Sequence, residues 1–275
     1  MEGDSSFYLL FMLSQKSLKH LNKIEQKKFR QAQGEFIVEG VKGVKEAMLA
    51  QANVVLLVIE KTKDSEPDFL DLINLATKND ILIEYCNEKE AKKLKTTETF
   101  PGILAVIKQP KVILNDFDGT IICLDGVKDP GNLGTIIRTA DWFGVKSILL
   151  SEDCVDLYNP KAVRSTMGSI FHLNILESTN VVQDLTKLQK NGYVLNGMVM
   201  NGDKLDKVNK KNMNIYVFGS ESHGIRPEVE KMLDNKYTIL GCPSAGYPRP
   251  ELGSKAGQAE SLNVAVACGI LLSKI

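Results

Sequence analysis

The sequence predicts an α/β fold divided into two parts, and three observations carry that prediction. Residues 54–59 form a continuous apolar, β-branched run, the composition of a strand covered on both faces. Strand patterns alternate with helix patterns along almost the whole chain. The stretch 108–118, with Pro110 and few signals of a packed element, interrupts the alternation and sets domains at 12–110 and 117–275. Composition agrees: of 275 residues 43% are hydrophobic and 25% charged, which excludes a disordered chain, a coiled coil and a collagen-like repeat. Lys+Arg and Asp+Glu both number 34, so any affinity for phosphate has to come from a local basic patch. No apolar run has the length of a membrane-spanning helix, and the apolar residues 7–13 follow Glu2 and Asp4 instead of the basic flank of an export signal. Cys86, Cys123, Cys154, Cys242 and Cys268 form no CxxC pair and read as reduced thiols of a cytoplasmic protein.

Taken in order, residues 1–11 carry no clear element, and Met12 offers a second start. From Lys16 a helical period places Leu18, Leu21, Ile24 and Phe29 near one face, with Lys19, Lys23, Lys27, Lys28 and Arg30 around them, until Gly34 caps the helix. Strand 35–38, helix 41–50 and strand 54–59 follow. Pro67 opens a helix to Asn79, and strand 81–85, helix 88–95 and strand 102–107 complete the first part. In the second part, strand 120–124 runs into a Gly/Pro/Asn loop at 129–134 and a helix over 135–143. Strand 147–150, a helix from Asn159 and Pro160 to Met167, strand 173–176, helix 181–190 and strand 193–198 come next. Strand 215–218, loop 219–224, helix 227–233, strand 237–240, a loop rich in Gly, Pro and Ser at 241–257, and helix 261–272 close the chain.

In open α/β sheets, ligands bind beyond the carboxyl ends of the strands. Three loops in such places carry polar residues: DPGNLG at 129–134 with Arg138 following, GSESHG at 219–224, and AESLN at 259–263. Taken singly, each has an ordinary explanation. Gly131 and Gly134 suit a tight turn, Arg138 a solvated helix face, Glu221 a helix start, and Ser261 and Asn263 caps. GxGxxG and GxxxxGK[ST] are missing, which removes a dinucleotide fingerprint and a phosphate loop. His20, His172 and His223 lack ligand spacing, so no metal is expected.

Together and in this order, the three segments resemble the motifs of the SpoU/TrmH family of RNA 2′-O-ribose methyltransferases, within the SPOUT superfamily. Residues 129–144 (DPGNLGTIIRTADWFG) resemble motif one, 217–228 (VFGSESHGIRPE) motif two and 260–267 (ESLNVAVA) motif three, while 159–168 (NPKAVRSTMG) is similar to the family's linking segment. Lys28, Phe29, Arg30 and the stretch 34–40 (GEFIVEG) resemble the substrate-binding domain of members that act on ribosomal RNA. The likeness extends over nearly everything from Lys16 onward.

The resemblance implies a small N-terminal α/β domain that binds RNA and a C-terminal α/β SPOUT methyltransferase domain with a deep trefoil knot. It implies S-adenosylmethionine as cofactor, ribosomal RNA of the 23S or another type as partner, no membrane, and a homodimer formed through the C-terminal domain. The matching positions imply cofactor contacts at Gly219, Ile239, Ser261 and Leu262, with Gly219 leaving room for an adenosine beside the main chain. They imply a catalytic set of Arg138, Asn132, Glu221, Ser261 and Asn263. Arg138 serves as the base or as a clamp on phosphate and ribose; a guanidinium pKa above about 12 favours the clamp. Glu221 is expected to orient Arg138, and Asn263 the ribose or the 129–134 loop. Lys23, Lys27, Lys28 and Arg30 are expected to contact RNA phosphate, the alternative being a solvated helix face.

Two departures stand out: Leu240 follows Ile239 where the family carries proline, and 241–258 is longer than usual beside the cofactor pocket. A tRNA 2′-O-methyltransferase is the alternative within the class, and the first domain argues against it. A non-catalytic RNA-binding paralogue is the alternative outside it, against which Asn132, Arg138, Glu221, Ser261 and Asn263 are all in place.

Overall fold

A computed structural model of the chain describes residues 11–94, 99–207, 213–239 and 261–275. They form two compact units, one of the described residues up to Lys111 with Tyr158–Phe171, the other of Val112–Leu157 and the described residues from His172 onward. The segment Tyr158–Phe171, expected in the second domain, therefore clusters with the first. Leu240, Cys242 and the long stretch 241–258 lie outside the described residues.

The first unit runs β1 (Phe11–Met12), α1 (Gln15–Ile24), α2 (Lys27–Gln33), β2 (Glu35–Glu39), α3 (Val41–Leu49), β3 (Val54–Glu60), α4 (Pro67–Lys78), β4 (Ile83–Cys86), α5 (Glu88–Ala91) and β5 (Ile103–Lys108). Its sheet has the order β1-β4-β3-β5-β2, with β5 antiparallel to both β3 and β2. Phe11, left out of the fold by its sequence, pairs with Glu84 at the sheet edge. Leu18, Leu21 and Ile24 of α1 pack on Ile37, Val58 and Val106, which is the face the periodicity predicts.

The single helix expected over the basic segment is two helices. Gln26 takes an extended backbone (φ −92°, ψ 133°) between them. The cause lies in Arg30, which is 3% exposed and turns inward. Its guanidinium donates to the carbonyl of Ile24 at 3.1 Å and to that of Glu25, satisfying carbonyls at the end of α1. Arg30 is thus a structural residue and not one facing RNA, whereas Lys23, Lys27 and Lys28 are exposed. Gly34 ends α2 in the left-handed region (φ 61°), as predicted.

The second unit contains β6 (Ile121–Asp125), α6 (Pro130–Trp142), β7 (Ser147–Leu150), β8 (Asn174–Glu177), α8 (Val181–Lys190), β9 (Val194–Lys204), β10 (Asn214–Gly219), α9 (Pro227–Glu230), β11 (Asn235–Thr238) and α10 (Val264–Leu272), while α7 (Pro160–Thr166) belongs to the first unit. Its six strands are all parallel, in the order β11-β9-β10-β6-β7-β8. Ile121, Cys123, Ile215 and Val217 face α8 and α9, and the alternate residues Ile122, Leu124, Tyr216 and Phe218 are buried too. This explains the unbroken apolar runs in the sequence.

Residues 130–134, expected as part of a loop over 129–134, form the start of α6 instead, with Asp129 as its N-cap. Asp129 caps the helix by accepting from the Asn132 amide at 2.8 Å, Pro130 fits its first position, and Leu133, Ile136 and Ile137 are fully buried. Capping and burial outweigh the helix-weakening effect of two glycines. From β6 the chain builds outward through β7 to β8, then returns to place β9 and β10 on the other side of β6. The order thus reverses between β6 and β10, whose carboxyl ends Asp125 and Gly219 lie in register. Among the described residues no helix is long and apolar enough to cross a membrane.

Arg30→Ala should destabilise the protein by about 1.5–3 kcal/mol, the range for hydrogen bonds from charged groups. Lys27→Ala or Lys28→Ala should change stability by less than about 0.5 kcal/mol. Urea unfolding compares them, and equal effects would refute the structural role of Arg30.

Candidate functional site

The crevice at the β6–β10 edge is where a sheet of this topology binds ligands. Gly219, the last residue of β10, is required there by a close approach of the chain to itself. A Cβ on it would lie 2.0 Å from the carbonyl carbon of Gly224 and 2.2 Å from the amide nitrogen of Ile225. The loop between them is closed by two backbone hydrogen bonds, Ser220 N–H to Gly224 O at 3.0 Å and Gly224 N–H to Ser220 O at 2.9 Å. Room for an adenosine is therefore not the reason for this glycine: the loop's own backbone fills that space.

The closed loop presents Glu221 to the amino end of α6. Asn132 Nδ2 donates to Glu221 Oε1 at 2.5 Å, and Asn132 Oδ1 accepts from Asn263 Nδ2 at 2.9 Å. Asn263 is the N-cap of α10, its Oδ1 accepting from the amides of Ala265 at 2.9 Å and Val266 at 3.3 Å. These bonds run in one direction. Because the α10 amides claim the Asn263 oxygen, only its Nδ2 is left for Asn132, which must answer with Oδ1 and turn Nδ2 toward the carboxylate. The three loops singled out in the sequence are joined in this way across 89 and 131 residues.

Glu221 does not orient Arg138, contrary to expectation; its described partner is Asn132. Arg138 lies six residues beyond Asn132 on α6, about 9 Å along the axis. It is exposed, and its side chain forms no hydrogen bond or ion pair with any described residue. Ser261 and Leu262 lead into α10 and are exposed, Leu262 by 48% although it is apolar, while Ile239 follows β11 and is partly buried.

Sequence reasoning missed Asp125 and Arg226. Arg226 Nε donates to Asp125 Oδ1 at 2.6 Å, and its terminal nitrogens donate to Glu152 at 2.5 Å and Asp153 at 3.1 Å. Burial works against the Arg226 charge, yet the bond to Glu152 and the charge of Asp125 lift its pKa above the ordinary value. Glu152 correspondingly titrates below the usual glutamate range, burial being outweighed by hydrogen bonds from backbone amides and from Arg226. The only signal available was an arginine just before Pro227 inside a polar loop, because its carboxylate partner is 101 residues away. Burial pushes the thiols of Cys123 and Cys154 up, which keeps them protonated and unsuited to nucleophilic work.

The profile of the SpoU rRNA Methylase family matches residues 119–245, and that of the MRM3-like substrate binding domain matches residues 15–105. The 23S rRNA (guanosine(2553)-2′-O)-methyltransferase RlmP of Bacillus subtilis is 30% identical over 257 residues, covering 93% of this chain and 94% of that protein. The AdoMet-bound rRNA methyltransferase of Sinorhizobium meliloti superposes with a TM-score of 0.81 at 27% identity, over 96% of this chain and 95% of that one. The mitochondrial rRNA methyltransferase 3 of Xenopus laevis is 33% identical over 173 residues, 58% of this chain and 40% of that protein.

Asn132→Asp tests the direction of the bonds. It replaces the donor facing Glu221 by a second carboxylate, and two carboxylates so close do not both ionise. One folded-state pKa rises above its unfolded value, so the variant should match wild type below about pH 4 and lose about 0.5–1 kcal/mol as pH rises to neutrality, the pair being exposed and screened. Melting curves between these limits read the difference, and a deficit independent of pH contradicts the arrangement.

Proposed function

The chain belongs to the SpoU rRNA methylase family, and on that premise we propose that it transfers the methyl group of S-adenosylmethionine to a ribose 2′-hydroxyl of ribosomal RNA, of the 23S or another type. The observation that carries this reading is the hydrogen-bonded chain from Asn263 through Asn132 to Glu221, with Arg138 left open on the same helix as Asn132. A purely RNA-binding paralogue has no need of that assembly. A tRNA enzyme is the weaker alternative, since residues 15–105 match a substrate-binding domain named for an enzyme of ribosomal RNA.

Bound S-adenosylmethionine supplies a methyl group already activated on a sulfonium. What remains for the protein is to place the hydroxyl in line and help its proton leave. Gly219, Ile239, Ser261 and Leu262 would hold the cofactor, Leu262 offering an apolar side chain that is exposed in this structure. Arg138 clamps phosphate and ribose, because a guanidinium keeps its charge and matches two oxygens at once. Glu221, held through Oε1 by Asn132, offers Oε2 to the hydroxyl proton. Ser261 adds a hydroxyl at the start of α10, and Asn263 keeps that start aligned with α6.

In this reading residues 12–110 bind the RNA and 117–275 carry the transfer, and Lys23, Lys27 and Lys28 contact phosphate. The deep trefoil knot of the family is part of the proposal. So is a homodimer through the C-terminal domain, supported by exposed apolar residues on two helices packed together, Trp142 (84%) at the end of α6 and Val266 on α10. A cytoplasmic location accords with a ribosomal RNA substrate.

Single-turnover methyl transfer, using ribosomal RNA and tRNA from cells lacking the gene, tests this function. Wild type should label ribosomal RNA and not tRNA; labelling of tRNA alone would move the assignment to the alternative. Arg138→Ala should lose on the order of 10²–10³ in rate at unchanged melting temperature, and Arg138→Lys should recover little. A second expectation concerns the first domain. Neutralising Lys23, Lys27 and Lys28 together should weaken RNA binding and flatten its salt dependence, by a slope of about 0.7–0.9 for each phosphate that the variant no longer neutralises. An unchanged slope would leave these lysines as surface residues only.

A further inference from the structure

Asp125 and Arg226 belong to a cluster that the proposed chemistry does not use. Asp125 closes β6 and is 2% exposed. Both its oxygens go to one residue: Oδ2 accepts the Arg226 main-chain N–H at 2.7 Å, and Oδ1 accepts Nε at 2.6 Å. The rest of the guanidinium donates outward to Glu152 Oε1 and Asp153 Oδ2, just beyond β7. Glu152 Oε2 in turn accepts the amide of Val181, the first residue of α8, at 3.2 Å. One side chain thereby joins the carboxyl ends of two strands and the start of a helix to the residue that follows the 219–225 loop.

Stability alone does not account for this arrangement. Desolvation offsets most of the Coulomb gain of a buried ion pair, and apolar residues of similar volume often serve as well. The geometry accounts for it better. A planar fork holds three carboxylates in set directions, which an ammonium on a flexible stem does not. What the fork secures is the loop. At its near end Gly219 lies under the backbone of Gly224 and Ile225; at its far end Arg226 is bonded by main chain and side chain to Asp125, the register partner of Gly219. Both ends are pinned to one point of the sheet, and Glu221 sits between them.

We infer that Arg226 is a positioning residue for methyl transfer, holding the 219–225 loop on Asp125 so that Glu221 meets Asn132. As a statement about methyl transfer it rests on the function proposed above; the pinning itself is read without any assay of activity. Asn132→Ala, Glu221→Ala and the double variant form a thermodynamic cycle, followed by urea unfolding in the native chain and again in Arg226→Lys. In the native chain the pair should be coupled by about fivefold or more in the unfolding constant, as contacting residues are, and in Arg226→Lys by less than about twofold. Methyl transfer to ribosomal RNA by Arg226→Lys should fall by about 10²-fold, the effect of misplacing a group by about 1 Å. Unchanged coupling in Arg226→Lys, or its transfer at the wild-type rate, overturns the inference. Loss of coupling in a protein whose wild type methylates no RNA supports the pinning and overturns the proposed function instead. Should Arg226→Lys fail to fold, Glu152→Gln, which weakens a single arm, is expected to reduce the coupling in the same direction, and no reduction overturns the inference equally.

Discussion

Asn263 commits its side-chain oxygen to the first amides of α10, and the rest of the site follows from that commitment. Its Nδ2 then has to donate, Asn132 has to accept with Oδ1, and the Nδ2 of Asn132 has to face a carboxylate. Each bond polarises the next, so a helix terminus, an amide pair and Glu221 act as one oriented series. A reversed amide at either asparagine would set like groups against each other.

The series needs its three members delivered to one place, and the parallel sheet does this. Reversal of strand order between β10 and β6 puts the ends of both strands at the same edge, with α6 leaving one and the 219–225 loop leaving the other. The loop can close there only because Gly219 has no Cβ to meet the backbone of Gly224 and Ile225. Fixed backbone and oriented dipoles of this kind suit a reaction whose reactive group comes with the cofactor, leaving alignment and electrostatics to the protein.

The fold was legible where local chemistry agreed with burial. The run 54–59 became β3, the Pro67 helix became α4, and Gly34 became a left-handed cap. Expectation and structure differ where burial or an inward-turned side chain overrode the local signal. Residues 129–134 read as a loop because glycine and proline punctuate most turns, yet the Asp129 cap and the burial of Leu133, Ile136 and Ile137 made 130–134 helix. The basic segment read as one helix because periodicity does not reveal that Arg30 turns inward to bond the carbonyls of Ile24 and Glu25.

By itself the sequence determined the alternation of strands and helices, the strands buried on both faces, the likeness to one enzyme family, and the polar residues Asn132, Arg138, Glu221, Ser261 and Asn263. All of these are written in short windows, as composition, period or motif. Only the tertiary structure decided how those residues meet. It joined Glu221 to Asn132 and not to Arg138, gave Gly219 a backbone to pack against, and paired Arg226 with a carboxylate 101 residues earlier. The physical reason is that a hydrogen bond depends on distance and direction in space, and strand order sets both without leaving a trace in local sequence.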